Sequence, residues 1–299
     1  MSMKNIFKLV VALFCFFAID TVADHVLKYG LDKGMGLNEH SKMLIVGHSH
    51  LMMGLDRTML ENRLGCKVTK HTRSGVGMGE RKLMVQMFLN SPYSDSLKVV
   101  VIGVDPFSFN GKGVSENCYT LFYPWMDDKE VGRYIKGETE SADYYAHKFF
   151  RLSRYSDDLI KQSIRGWKHD DRNYKTSVFT DSIFNANKAK WARPITFNKQ
   201  LMAELEQTIS LCVGRKIHVV LFQTPVLKLL TDLYHKDYMK ILSYYHYLDD
   251  SSEYVHFINY SPFYDKDYNI FFDPIHLNVN GQKFVTERFI KDISPIIYK

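Results

Sequence analysis

The sequence predicts an α/β fold in which a parallel sheet lies between layers of helices. Three observations carry this. Apolar runs of strand length alternate with segments of helical periodicity from Met43 onward. The run 97–104 is almost unbroken Val and Ile, which suits a central strand covered on both faces. Ser49, the turn Ser74-Gly75-Val76-Gly77-Met78-Gly79, Asp105 and Gln223 each fall just after an apolar run. In parallel α/β sheets, sites gather outside the carboxyl ends of the strands.

The elements follow in order. A linker at 29–41, holding Gly30, Gly34 and Gly36, precedes the first strand at 43–46. Residues 56–64 read as a helix that Asp56 can cap, with Leu55, Met59, Leu60 and Leu64 as its apolar stripe and Gly65 as its stop. A second strand at 67–72 runs into the glycine turn, a helix covers 80–89, and the third strand is 97–104. From 110 to about 197 the pattern is poorer. Gly111-Lys112-Gly113 and Tyr123-Pro124 mark loops, 141–165 reads as one or two helices, and 166–173 is polar. This section is read as an insertion beside the sheet. Regularity returns with an amphipathic helix at 198–214, a strand at 217–222, a helical stretch at 226–248, a strand at 254–258 and a last helix at 281–293. The expected organisation is a signal anchor or signal peptide at 1–28, then an α/β domain over 42–299 carrying the 110–197 insertion.

Composition excludes several classes. An apolar fraction of 45% with 14% aromatics supplies a real core, so the chain is not a disordered one. The net charge of +6 is spread among acids, without the basic block of a nucleic-acid footprint. It leans only mildly toward anionic lipid or polysaccharide. Cys15, Cys66, Cys118 and Cys212 have no metal or redox spacing, and Cys66–Cys118 is the only pairing worth testing as a bridge. No cofactor is implied.

The N-terminus is more informative. Lys4 and Lys8 precede an apolar run at 9–19, the form of an export signal, with Thr21 and Ala23 as small residues before a cleavage point. Extended over 6–22, with Lys8 snorkelling and Asp20 at the far interface, the run can span a bilayer. Its basic flank keeps the N-terminus in the cytoplasm and puts the remainder outside. The alternative is a buried helix of a cytosolic protein.

Two stretches carry candidate chemistry. Met43-Leu44-Ile45-Val46-Gly47-His48-Ser49-His50 delivers a serine at the mouth of a strand, after a glycine turn. Near the other end, Asp273-Pro274-Ile275-His276-Leu277-Asn278 sets a carboxylate three residues before an imidazole. That spacing lets the carboxylate fix the tautomer while the other ring nitrogen faces a hydroxyl. Asn278 or Asn280 can cap the final helix. Each stretch alone is ordinary, a turn serine and a surface cap. Their placement at the first strand end and before the last helix is what joins them.

On these residues the chain resembles the SGNH (GDSL-like) hydrolases. Gly47-His48-Ser49 matches the family's Gly-Asp-Ser block with histidine in place of aspartate, and Asp273-x-x-His276 matches its last block. Gly75 or Gly77 stands at the second block. The third, Gly-x-Asn-Asp, is replaced by Gly103-Val104-Asp105-Pro106. The resemblance implies a three-layer flavodoxin-like fold, Ser49 as nucleophile, His276 as base and Asp273 as orienter. It also implies an oxyanion hole from the N–H groups of Ser49 and Gly75 or Gly77. The family's third donor, an Asn, is missing, and one lost donor costs roughly 10²–10³ in rate. Gln223 or Asn110 are the substitutes on offer.

The N-terminal anchor, degenerate middle blocks and insertion are similar to the envelope acyl-transfer branch, the DltD-like and alginate-acetylation-like proteins. That similarity implies an esterase or O-acyltransferase acting on an acylated cell-envelope glycan or glycolipid, together with a membrane acyl-transfer partner. The competing expectation is an impaired SGNH-fold protein that binds glycan or scaffolds an acylation complex. A metal reading of His48 and His50 with His71 or His276 lacks a carboxylate or Cys at ligand spacing, and no metal is expected. The aromatics Tyr119, Phe122, Tyr123, Trp125 and Trp167 read as core or as a sugar groove.

Overall fold

A computed structural model of the chain describes residues 2–111, 117–186 and 193–298. Part of the expected 110–197 insertion, including Lys112 and Gly113 of the first marked loop, lies outside them. In chain order the principal elements are α1 (Met3–Met35), β1 (Met43–Gly47), α2 (Ser49–Gly54), α3 (Arg57–Leu64), β2 (Val68–Thr72), α4 (Met78–Leu89) and β3 (Val99–Gly103). Then come α5 (Lys129–Glu138), α6 (Ser141–Phe149), α7 (Asp157–Trp167), α8 (Asp181–Ala186), α9 (Lys199–Val213), β4 (His218–Gln223), α10 (Lys228–Thr231) and α11 (His235–Asp249). The chain closes with β5 (Val255–Asn259), α12 (Ser261–Tyr264), β6 (Phe271–Asp273), β7 (His276–Leu277) and α13 (Val279–Ile297). They form two compact units: Met1–Met35 with Asn117–Asp170, and Gly36–Glu116 with Asp171–Lys299.

The larger unit is built on a five-stranded sheet in the order β2-β1-β3-β4-β5, every pair parallel. This is the flavodoxin-like order, and its direction reverses between β1 and β3. Successive strand residues point to opposite faces. Met43, Ile45, Val99, Val101, Val220 and Phe222 belong to one core with Val285, Phe289 and Ile293 of α13. Leu44, Val46, Val100 and Ile102, alternating with them, are equally inaccessible, so both faces of the sheet are covered. Helix α13 packs with α2 and α3, and α4 packs with α9. The α/β class and its parallel sheet are therefore as the sequence predicts.

Most boundaries shift by a residue or two, and the caps explain several; the expected 29–41 linker is an exception, because α1 continues through Gly30 and Gly34 to Met35. Asp56 accepts the Met59 N–H at 2.9 Å, Asn198 caps α9, and Asn278 caps α13 through the Asn280 and Gly281 N–H groups. The expected 226–248 helix is broken into α10, a short 3-10 turn and α11. All four cysteines are thiols, so the Cys66–Cys118 bridge does not form.

The smaller unit is helical. α1 pairs with α7 where small residues let the backbones close: a methyl group at Gly166 would sit 1.8 Å from the Gly30 carbonyl oxygen. Polar groups fasten the same helix. Asp32 accepts the Trp125 indole N–H at 2.7 Å, and Asp24 accepts the Tyr155 hydroxyl at 2.7 Å. The buried Arg154 binds Asp127 at 2.9 Å. The N-terminal half of α1 is long and apolar enough to cross a membrane and is almost entirely unburied.

Candidate active site

Ser49 opens α2 directly beyond β1. The approach is made possible by Gly47 and Gly103 at the ends of adjacent strands, since a Cβ on Gly103 would lie 2.1 Å from Leu51 Cδ1. Leu51 therefore seats α2 over the two strand ends and holds Ser49 at the sheet's edge. Ser49 lies in the first helical turn, where the N–H groups have no intrahelical acceptor.

Asp273 and His276 belong to a hairpin. β6 and β7 are antiparallel, Asp273 pairs with His276, and Pro274-Ile275 makes the turn. One carboxylate oxygen of Asp273 accepts the N–H groups of Ile275 (3.0 Å) and His276 (2.9 Å). The other lies 2.7 Å from His276 Nδ1. That carboxylate only accepts, so Nδ1 carries the ring proton and the lone pair of Nε2 is free. His276 Nε2 lies 2.7 Å from Ser49 Oγ, which donates to it. Ser49, 227 residues away in the chain, thus completes a serine–imidazole–carboxylate line.

The three side chains open onto a cleft of about 560 Å³, also lined by Gly75, Gly77, Asp105, Asn110 and Arg193. The two glycines differ. Gly77 donates its N–H to Glu80 Oε2 at 2.8 Å and serves as the N-cap of α4, so its amide is engaged away from an oxyanion. Gly75 sits in the left-handed region with φ +83° at the cleft wall.

The two side-chain amides on offer as a third donor differ. Gln223 is buried and donates to the Tyr238 and Ser261 hydroxyls. Asn110 lines the cleft but donates to the Pro194 carbonyl at 2.6 Å and accepts the Thr196 N–H at 2.8 Å.

His48 and Asp105, 57 residues apart in the chain, form one structure. His48 Nε2 hydrogen-bonds the Asp105 carboxylate, and His48 Nδ1 accepts the His50 N–H at 3.1 Å as the N-cap of α2. Asp105 also accepts the Phe107 N–H at 2.5 Å, and its carbonyl accepts the Tyr245 hydroxyl at 2.9 Å. Arg81, buried nearby, donates to the Gly103 carbonyl at 2.6 Å. Burial holds His48 below the usual histidine value, with the Arg81 charge adding to it. Burial would raise Asp105, but His48, His50 and Arg81 outweigh it and hold the carboxyl well below the usual range. The sequence gives no signal that His48 and Asp105 are partners, since they lie 57 residues apart.

His50 is buried beside the site, its ring 4.1 Å from His48 and perpendicular to His276 at 5.1 Å. Burial, with His48 adding, pushes its pKa well down. Asp105, too far off in sequence to be counted, supplies the carboxylate that the sequence reading found lacking, and His48, His50 and Asp105 lie close enough together to suggest a metal centre. The hydrogen bonds argue against one: with Nδ1 already accepting an N–H, ligation through Nε2 would require His48 to lose both ring protons. His71 lies inside β2, opposite Val46, and does not line the cleft.

No described protein family matches the chain, and no curated protein does. Among solved structures the chain is similar to a protein from Streptococcus pneumonia provisionally described as a platelet activating factor. That match has 10% identity and a TM-score of 0.44, covering 98% of this chain and 100% of that one. It is also similar to a family two carbohydrate esterase from Clostridium thermocellum in complex with cellohexaose, at 10% identity and a TM-score of 0.38, covering 86% of this chain and 64% of that one. An active-site mutant of that esterase matches at 0.37 with the same coverage. Esterases therefore stand among its structural neighbours. The case for a reaction rests on the site itself.

Proposed function

We propose that the chain is an SGNH-type serine esterase or O-acyltransferase, anchored by α1 outside the cytoplasm and acting on an acylated envelope glycan or glycolipid. The observation that carries it is the unbroken line from Ser49 Oγ through His276 to Asp273, open to a cleft. In this reading His276 Nε2 takes the Ser49 proton as Oγ attacks the ester carbonyl. Asp273 stabilises the resulting imidazolium, and the Ser49 N–H and the Gly75 turn face the tetrahedral oxyanion. His276 then protonates the departing alkoxide, leaving an acyl-serine. Water or a sugar hydroxyl, deprotonated by the same nitrogen, takes the acyl group. The DltD-like or alginate-acetylation-like branch, with a membrane partner supplying acyl groups, is the finer assignment within this reading.

A second reading keeps a specific observation in its favour. Both N–H groups of Gln223 are committed to the Tyr238 and Ser261 hydroxyls and one of Asn110 to the Pro194 carbonyl, which suits a glycan-binding or scaffolding protein of the same fold. A fluorophosphonate probe separates the two. The esterase reading expects labelling and ester turnover in the full-length protein, and Ser49→Ala abolishes both. Absence of serine-dependent labelling and turnover alike would favour the binding protein.

A further inference from the structure

We infer that the corner joining α6 to α7 is a second membrane contact, with Phe149, Phe150 and Leu152 seated in the lipid interface beside the emerging α1. The inference rests on reading α1 as a membrane anchor. Residues 3–19 rise about 25 Å at 1.5 Å per residue, close to the roughly 30 Å of a hydrocarbon core. Their side chains face outward, Phe14 at 74% exposure.

The run ends at Asp20, which is buried and accepts the Arg151 and Leu152 N–H groups, one on each oxygen, both at 2.9 Å. Backbone at 151–152 is therefore fixed at the level where the apolar stretch stops. The Phe150 ring reaches back along the helix toward the N-terminus. It lies 6.4 Å from Phe17, nearly parallel at 12°, and 6.2 Å from Phe16.

The apolar surface of α1 thus continues without a break onto this corner. Phe149 is 67% exposed, Phe150 47% and Leu152 41%, and α6 buries none of its residues. A water-facing patch of this kind marks an interaction surface. Its continuity with a surface that lies in lipid selects lipid over another protein. Lys148 and Arg151 flank the patch, as expected at the headgroup level.

The test uses the full chain with an environment-sensitive fluorescent amino acid at position 149, reconstituted into phosphatidylcholine–phosphatidylglycerol vesicles. Brominated acyl chains should quench its emission at least twofold, while aqueous iodide should quench it little. Efficient iodide quenching without a bromolipid effect would overturn the inference. So would protection from both quenchers, which would indicate a second copy or a protein partner. Alkaline carbonate extraction is read alongside: release of the chain would sink the anchor reading itself, whereas retention with an unquenched position 149 would sink only the second contact.

Discussion

The two units are held together by different physics. The sheet unit is organised by continuous apolar strands, and polar groups beyond the strand ends form the Ser49 and His48–Asp105 arrangements. The helical unit also buries apolar side chains, among them Phe122, Val131, Ile135 and Leu159, but adds contacts of another kind. Its long helix is fixed by small-residue contacts at Gly30 and Gly166 and by three aspartates spaced along one helix, Asp20, Asp24 and Asp32. A hydrophobic sheet is insensitive to the exact partner of each side chain, so its edge can hold a demanding constellation. A helix pair built on close approach and buried ions is specified contact by contact.

The sharpest test of that contrast is chemical. Asp273→Asn keeps an oxygen for the Ile275 and His276 N–H groups but loses the carboxylate that holds the Nδ1 proton. Turnover should fall by about 10⁴-fold, with thermal unfolding nearly unchanged. A small kinetic effect would break the triad reading.

Next comes the coupled pair. His48→Asp sets two carboxylates together in a buried site and should destabilise the sheet unit by about 3–5 kcal/mol. Adding Asp105→Asn should recover most of this, and a double-mutant cycle with no coupling would show that the two residues are independent.

Acid should act on the sheet unit in particular. His48, His50 and His71 are buried with pKa values held below 6.5, so below that pH the unfolded chain binds more protons than the folded one. The stability they permit is present above pH 6.5 and is lost as pH falls through the window beneath it, by up to about 1.4 kcal/mol per pH unit for each histidine. Denaturant titrations at pH 7.5 and 5.5 measure it. Stability that rises on acidification would reverse the sign.

The smallest effect belongs to the helical unit. Gly166→Ala, forced against the Gly30 carbonyl, should cost about 1–3 kcal/mol. Proteolysis should then increase within α7, while fluorophosphonate labelling of Ser49 persists. Unchanged protease resistance would mean that the close approach is dispensable.

Much of the sheet unit was legible from sequence because its signals are local. A Val/Ile run such as 99–103 excludes an exposed helix, and Asp56, Asn198 and Asn278 announce helix starts through side chains that bond three or fewer residues away. Asp273 and His276 were readable as a pair for the same reason. The split of 141–165 was half legible: its apolar spacing marks helix, but the 3-10 turn at 151–154 is set by Asp20, whose partner N–H groups lie 131 and 132 residues away.

The sequence by itself determined the strands, the caps, the apolar N-terminal run and the local Asp273–His276 geometry, because neighbours along the chain set each of these. Tertiary structure alone decided which distant groups meet. It brought Ser49 to His276, joined His48 to Asp105, took Gly77 for a helix cap, and folded the N-terminal helix against residues within 117–170. The reason is physical: hydrogen bonds and close packing reward atoms that are near in space, and a linear pattern carries periodicity and propensity but no distance between remote residues.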